Sequence, residues 1–154
     1  MSTARPILIV EDSPNDLEMT IKALEKSQLA NEVVVARDGA EAADYLFRRN
    51  LYANRPKGNP AVVLLDLKVP KIDGLELLKM VRGNKETDCI PVVLLTSSRE
   101  ERDVAAGYKL GVNAYVVKPT LFQEFVRTIQ SLGVFWAVLN EPPPPLCASM
   151  VRND

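Results

Sequence analysis

Acidic, hydroxyl and ammonium side chains follow four separate apolar runs of this sequence. The apolar residues of these runs do not alternate with polar ones, which is typical of strands buried on both faces of a parallel sheet. Parallel strands place their carboxyl ends at one edge, where open α/β sheets bind ligands. We therefore expect the side chains that end these runs to lie together: Glu11 and Asp12, Asp66, Thr96, and Lys118.

The carboxylates of this set predict a bound cation. Three carboxylates within a few ångströms repel one another, and a cation relieves that repulsion. Oxygen ligands without histidine or cysteine among them favour Mg²⁺. A carboxylate can also act as a covalent nucleophile toward a phosphoryl group, and the hydroxyl of Thr96 and the ammonium of Lys118 suit an anion formed on Asp66.

Each of these residues alone has an ordinary structural interpretation. An aspartate after a strand is usually a turn residue, and a Glu11-Asp12 pair alone fits a solvated turn. Thr96 alone fits a strand-end hydroxyl, Lys118 a solvated surface charge, and Tyr115 a core side chain. Their joint occurrence at successive strand ends favours a functional site.

The elements that must position these residues are predicted by apolar spacing and by capping patterns. Five strands alternate with five helices in one domain, which indicates a doubly wound α/β sheet. The predicted strands cover residues 7–10, 32–36, 62–65, 90–95 and 114–117. The predicted helix caps are Ser13 before Pro14, Asp38 with Glu41, Ser98 with Glu101, and Thr120 with Gln123.

Composition excludes several classes of function. The 154 residues suit one compact domain, and the formal net charge of −1 gives no basic field for nucleic acid or anionic lipid. The sequence has no run near the ~20 apolar residues of a membrane span and no signal-peptide pattern. It has no histidine, so any phosphohistidine must come from a partner. Cys89 and Cys147 are too few for a disulfide scaffold, which favours a reducing, cytoplasmic location.

Residues 6–132 resemble the receiver domains of bacterial two-component response regulators. The resemblance implies a flavodoxin-like, five-stranded parallel sheet in the order 2-1-3-4-5, flanked by five helices. It makes Asp66 the phospho-acceptor. It makes Glu11 and Asp12 the acidic pair that binds Mg²⁺, together with Asp66 and the backbone carbonyl of Lys68.

The same resemblance assigns the switch of the family. Thr96 matches the hydroxyl that follows the phosphoryl group, Lys118 matches the family lysine, and Tyr115 matches the rotating aromatic residue. It also implies a cis Lys118–Pro119 peptide bond. The helix after Thr96 has a thin apolar face, chiefly Val104, Ala105 and Tyr108, so we expect this helix to shift on phosphorylation.

A narrower resemblance is to phytochrome-associated single-domain regulators. It rests on residues 10–16, the insertion 51–60, residues 70–74 and the pair Phe135-Trp136. It implies a partner histidine kinase joined to a red-light photoreceptor, as in bacteriophytochromes. Lys68 departs from this subgroup, which often has a small polar residue there, and this puts the dephosphorylation rate in question.

The end of the chain predicts how the signal is passed on. We expect a receiver domain over residues 1–140 and a proline-rich tail over 141–154, with residues 142–145 in polyproline II. Output is then contact with an unidentified downstream protein and not with DNA. Phe135 and Trp136 either finish the core or pair with a second copy, and we favour a homodimer formed through the last helix and the tail.

Two alternatives compete with this non-enzymatic switch. A phosphatase or phosphotransferase with an aspartyl intermediate would need a second acid, for example two residues after the nucleophile, where this chain has Lys68. A flavin-binding module would need backbone donors and hydroxyls where residues 11–16 are acidic. Both alternatives are therefore disfavoured.

Overall fold

Strands and helices alternate along the chain in the computed structural model, which describes residues 4–141 and 143. A 3₁₀ turn at Asn50–Tyr52 interrupts the connection between the second helix and third strand, and a π-helical turn at Phe135–Leu139 extends the last helix. The elements are β1 Ile7–Val10, α1 Pro14–Lys26, β2 Val33–Ala36, α2 Gly39–Phe47, β3 Val62–Leu65, α3 Gly74–Arg82, β4 Val92–Thr96, α4 Glu101–Lys109, β5 Ala114–Val117 and α5 Phe122–Val134.

The five strands form one parallel sheet in the order β2-β1-β3-β4-β5, which confirms the predicted fold class and topology. β1 lies between β2 and β3, with Val10 opposite both Ala36 and Leu65. This register brings the residues that follow β1 and β3 to the same edge of the sheet.

Helices cover both faces of the sheet, which is why β1 and β3 are apolar throughout and β4 is apolar up to Thr96. Successive residues of a strand point to opposite faces. Leu8 and Val10 therefore pack in a core with α2 and α3, whereas Ile7 and Ile9 pack in a second core with α1 and α5.

Two of the four predicted caps are confirmed. The Ser13 hydroxyl accepts a hydrogen bond from the Asp16 N–H at the start of α1, and the Asp38 carboxylate accepts one from the Glu41 N–H at the start of α2. The other two predictions are wrong. α4 begins after Glu100 and α5 after Leu121, and neither N-cap residue makes a side-chain capping bond. Ser98 instead directs its hydroxyl to the Asp103 carboxylate, 2.6 Å away.

α4 is thinly packed, as the sequence predicts, but through a different residue. Val104 is half-buried, and Ala105 and Tyr108 are exposed. Gly107 is the buried residue of the helix. A β-carbon at Gly107 would lie 2.9 Å from Leu94 Cδ1, so glycine lets α4 approach β4 closely.

The long connection between α2 and β3 is organised by Arg55. Its guanidinium lies 4.3 Å from the ring centroid of Tyr45. It donates hydrogen bonds to the carbonyls of Tyr45, Leu46, Pro56 and Gly58. Arg55 therefore links the end of α2 to the following loop through hydrogen bonds to carbonyls of both.

Further expectations concern the Lys118–Pro119 peptide bond, membrane-spanning helices and the end of the chain. The described residues contain no cis peptide bond, so the Lys118–Pro119 bond is trans and the implied cis bond is wrong. The trans isomer is the one that X–Pro bonds favour by about 0.5–1 kcal/mol. Within residues 4–141, no helix combines the length and the apolar character that crossing a bilayer requires. The predicted polyproline II segment lies outside the described residues except for Pro143.

Candidate functional site

The predicted site residues converge at the carboxyl edge of the sheet. The Asp66 N–H donates to the Val10 carbonyl at 3.0 Å, which places Asp66 directly beside Glu11. On the other side, the Lys118 N–H donates to the Thr96 carbonyl at 2.8 Å. Four strand ends of the sheet therefore bring their polar residues to one place, as the sequence predicts.

Glu11, Asp12 and Asp66 form a cluster of carboxylates. One oxygen from each lies within 4.8 Å of the others. Glu11 is buried, Asp66 is half-buried, and Asp12 is exposed, so the cluster opens to solvent on one side. Hard oxygen donors with an open side fit Mg²⁺, which keeps several of its waters when it binds to protein carboxylates.

The Lys118 ammonium reaches into this cluster. Its side chain is only 9% exposed, and Nζ lies 2.6 Å from Glu11 Oε1, 2.8 Å from Asp16 Oδ2 and 3.5 Å from Asp66 Oδ2. Burial alone would lower the pKa of this ammonium, but the hydrogen bonds to Asp16 and Glu11, together with the charges of Asp66 and Glu11, outweigh burial and raise the pKa above its ordinary value. Lys118 is therefore charged at neutral pH.

One ammonium does not neutralise the cluster. Burial raises the pKa of Glu11 to about 7, and the hydrogen bond from Lys118 opposes this only in part. Repulsion from the Asp66 carboxylate contributes to this raised pKa, although less than burial does. A divalent cation at the cluster would stabilise the ionised form of Glu11, so the electrostatics fit the predicted metal.

Asp16 belongs to this site, although sequence reasoning assigned it only to the first turn of α1. It contacts Lys118 across 102 positions of the chain. The signal that could have found it is its place one helical turn after the Glu11-Asp12 pair, at the end of α1 that faces the site.

The backbone at the start of α3 lies in close contact with the loop after β3. The Gly74 N–H donates to the Leu67 carbonyl at 2.8 Å. A β-carbon at Gly74 would lie 2.6 Å from the Asp66 carbonyl oxygen. Glycine at this position therefore lets the start of α3 pack against the backbone of the candidate nucleophile.

Thr96 and Tyr115 are linked through Ser98. Thr96 is buried, and its hydroxyl accepts a hydrogen bond from the Ser98 N–H at 3.3 Å. The Tyr115 hydroxyl donates to the Ser98 carbonyl at 3.0 Å. A movement of Thr96 would therefore reach Tyr115 and the start of α4 through a single short loop.

The comparisons with known proteins agree with this geometry. The family model of the response regulator receiver domain matches residues 7–130. This chain belongs to that family. The receiver is 38% identical over 130 residues to response regulator Rcp1 of Synechocystis sp. PCC 6803, covering 84% of this chain and 87% of Rcp1.

Solved structures resemble the receiver over nearly their whole length. The Mn²⁺-bound form of Rcp1 has a TM-score of 0.85 at 36% identity, over 91% of this chain and 99% of that chain. The phosphorylated cyanobacterial phytochrome response regulator RcpA has a TM-score of 0.86 at 34% identity, over 92% and 100%. The bacteriophytochrome response regulator AtBRR is 65% identical, with a TM-score of 0.73, over 91% and 100%.

The remaining predicted residues of the receiver lie at the margins of the site or away from it. The Lys68 side chain is exposed, beside a groove lined by Asp12, Asp73 and Asp103. Its backbone carbonyl stays a predicted ligand. Phe135 and Trp136 are not part of the site. Their rings meet edge to face at 5.0 Å at the far end of α5, where Trp136 packs against the α1–α5 core.

The cluster predicts a specific loss of cation binding. Asp12→Asn removes one carboxylate from the open side, so we expect the dissociation constant for Mg²⁺ to rise at least about tenfold, equivalent to about 1.4 kcal/mol. Isothermal titration calorimetry measures this change. Glu25→Gln, an exposed position on α1 with the same change of charge, should leave the dissociation constant within about twofold. Equal affinities for Asp12→Asn and Glu25→Gln would refute the assignment of Asp12.

Proposed function

We propose that this receiver accepts a phosphoryl group on Asp66 from the phosphohistidine of a partner kinase, with Mg²⁺ bound at Glu11, Asp12 and Asp66. The observation that carries the proposal is the position of the Lys118 ammonium, 3.5 Å from Asp66 Oδ2 and beside the carboxylate cluster. The family membership and the phosphorylated structure of RcpA support it.

The proposed transfer is a displacement at phosphorus. A carboxylate oxygen of Asp66 attacks the phosphorus atom and forms the new O–P bond while the P–N bond of the phosphohistidine breaks. The electron pair of the P–N bond remains on the imidazole nitrogen, which takes a proton from water. Lys118 neutralises negative charge on the oxygens of the phosphoryl group during its transfer. Mg²⁺, when bound, would supply further positive charge to the same oxygens.

Phosphorylation would change the contact surface of α4. The new group brings about −1.5 to −2 charges to the site. Thr96 then moves toward the phosphoryl group and pulls on the Ser98 N–H, and Ser98 also holds Tyr115 and Asp103 of α4. Because Gly107 is the buried residue of α4, this helix is the element that shifts at least cost.

The assignment of Asp66 can be tested with a small phosphodonor. Incubation with acetyl phosphate and Mg²⁺ should add one phosphoryl group to the intact protein, and Asp66→Asn should abolish the gain in mass. Asp44→Asn, on α2 away from the site, is the matched control and should be phosphorylated like the wild type. A phosphorylated Asp66→Asn variant would show that the acceptor lies elsewhere.

We propose a bacteriophytochrome histidine kinase as the partner, on the basis of the similarity to the phytochrome response regulators AtBRR and RcpA. Phosphotransfer from such a kinase, loaded with labelled phosphate, should be at least about tenfold faster than from an unrelated histidine kinase, because cognate pairs gain specificity from complementary surfaces. The measurement is the rate at which label leaves each kinase. Equal rates would contradict the phytochrome assignment.

We also propose a homodimer that uses the end of α5 and the following tail, residues 141–154. Phe135, Val138 and Leu139 are 47%, 60% and 70% exposed, and together they leave an apolar surface next to Trp136. A twofold interface would bury the same surface of both copies. The downstream protein would then contact the dimer through its α4 surfaces.

The proposed dimer predicts a charge-sensitive interface. Phe135→Asp or Leu139→Asp places a carboxylate in the apolar surface, so either variant should shift the mass measured by light scattering from dimer to monomer. Leu51→Asp introduces the same charge at a residue that is 86% exposed in the α2–β3 connection, and its mass should match that of the wild type. A wild-type monomer, or dimeric Phe135→Asp and Leu139→Asp variants, would rule out this interface.

A further inference from the structure

Asp16 holds the site lysine more closely than Asp66 does. Lys118 Nζ lies 2.8 Å from Asp16 Oδ2 and 3.5 Å from Asp66 Oδ2. The Asp16 side chain is 26% exposed, so this ion pair is mostly shielded from water. Shielding strengthens the pair relative to an exposed one.

The Asp16 carboxylate is mounted on a fixed part of the fold. The Asp16 N–H donates to the Ser13 hydroxyl, and the Asp16 carbonyl accepts a hydrogen bond from the Thr20 hydroxyl at 2.7 Å. The next residue, Leu17, is buried in the core beneath α1. Asp16 is therefore positioned by α1 and does not depend on the loop that carries Asp66.

The other two partners of Lys118 are shared with the cation cluster. Glu11 and Asp66 both belong to the group of three carboxylates that could hold a metal ion, and Asp16 does not. A divalent cation and an ammonium that use the same carboxylates repel each other. When the cation binds, the ion pairs of Lys118 with Glu11 and Asp66 must therefore weaken.

We propose that Asp16 is a positioning residue that keeps the Lys118 ammonium at the site when a divalent cation takes over Glu11 and Asp66. Asp16 compensates the charge of Lys118 and so lowers the competition between the ammonium and the cation. The proposal rests on the proposed function in one respect, that Mg²⁺ binds to Glu11, Asp12 and Asp66.

Direct titration of the full chain with Mg²⁺ tests this role without any phosphorylation. Asp16→Asn leaves Lys118 with only the shared carboxylates, so the dissociation constant for Mg²⁺ should rise about fivefold. Glu18→Gln removes the same charge from the same helix, at a side chain that is 69% exposed and paired with Lys22. This control should change the dissociation constant by less than about twofold.

A double-mutant cycle separates action through Lys118 from a direct effect of the Asp16 charge. The Lys118→Met background has no ammonium to compete with Mg²⁺. In this background, Asp16→Asn should raise the dissociation constant for Mg²⁺ by less than about half of the fold-change that it causes when Lys118 is present. An equal or larger change in the Lys118→Met background would overturn the proposal, as would a change of less than about twofold in the wild-type background.

Thermal unfolding of the cation-free variants separates positioning from folding. Asp16→Asn should melt within a few degrees of Glu18→Gln. If it melts much earlier, Asp16→Ser repeats the cycle with a smaller polar side chain, and the same outcomes decide. Failure of Mg²⁺ to bind to the wild type would refute the proposed function itself. Mg²⁺ binding without coupling between Asp16 and Lys118 in the double-mutant cycle would refute only the role of Asp16.

Discussion

Repulsion among the carboxylates that a parallel sheet brings to one edge governs what this site can bind. The register of β1 against β3 places Asp66 beside Glu11 and Asp12, and Glu11 is buried there. Lys118 compensates part of the charge from the end of β5. Burial is the main cause of the raised pKa of Glu11, and repulsion from Asp66 adds to it, so Lys118 alone does not offset the cost of ionising this cluster and a divalent cation would lower that cost.

The carboxyl edge of the sheet also links a change of charge at the site to a change of conformation. Thr96 is buried next to the cluster, and one short loop joins it to Tyr115 and to Asp103 on α4. α2 and α3 bury several large side chains against the sheet, whereas α4 approaches β4 through Gly107. A local change of charge therefore acts on the helix that has the least packing to lose, which is a physical reason for α4 to carry the signal.

The sequence predicts the sheet and most of the site because both depend on local, repeated signals. The apolar runs of β1, β3 and β4 have no other stable place than a sheet covered on both faces, and the side chain after each run identifies the edge. The sequence does not predict contacts decided by distant partners. Ser98 and Glu101 have the spacing of a capping box, but Asp103 takes the Ser98 hydroxyl. Asp16 and Arg55 look like ordinary surface charges, and their partners are a lysine 102 positions away and a set of loop carbonyls.

Anomalous diffraction from crystals soaked with Mn²⁺ would locate a cation bound at this edge of the sheet, because Mn²⁺ can replace Mg²⁺ at oxygen ligands and its anomalous signal identifies its position. We expect one strong anomalous peak within about 2.0–2.6 Å of carboxylate oxygens of the Glu11, Asp12 and Asp66 cluster, with the Lys118 ammonium still bound to Asp16. An anomalous map with no peak at Glu11, Asp12 and Asp66, at a Mn²⁺ concentration well above the dissociation constant measured in solution, would show that these carboxylates do not form a cation site.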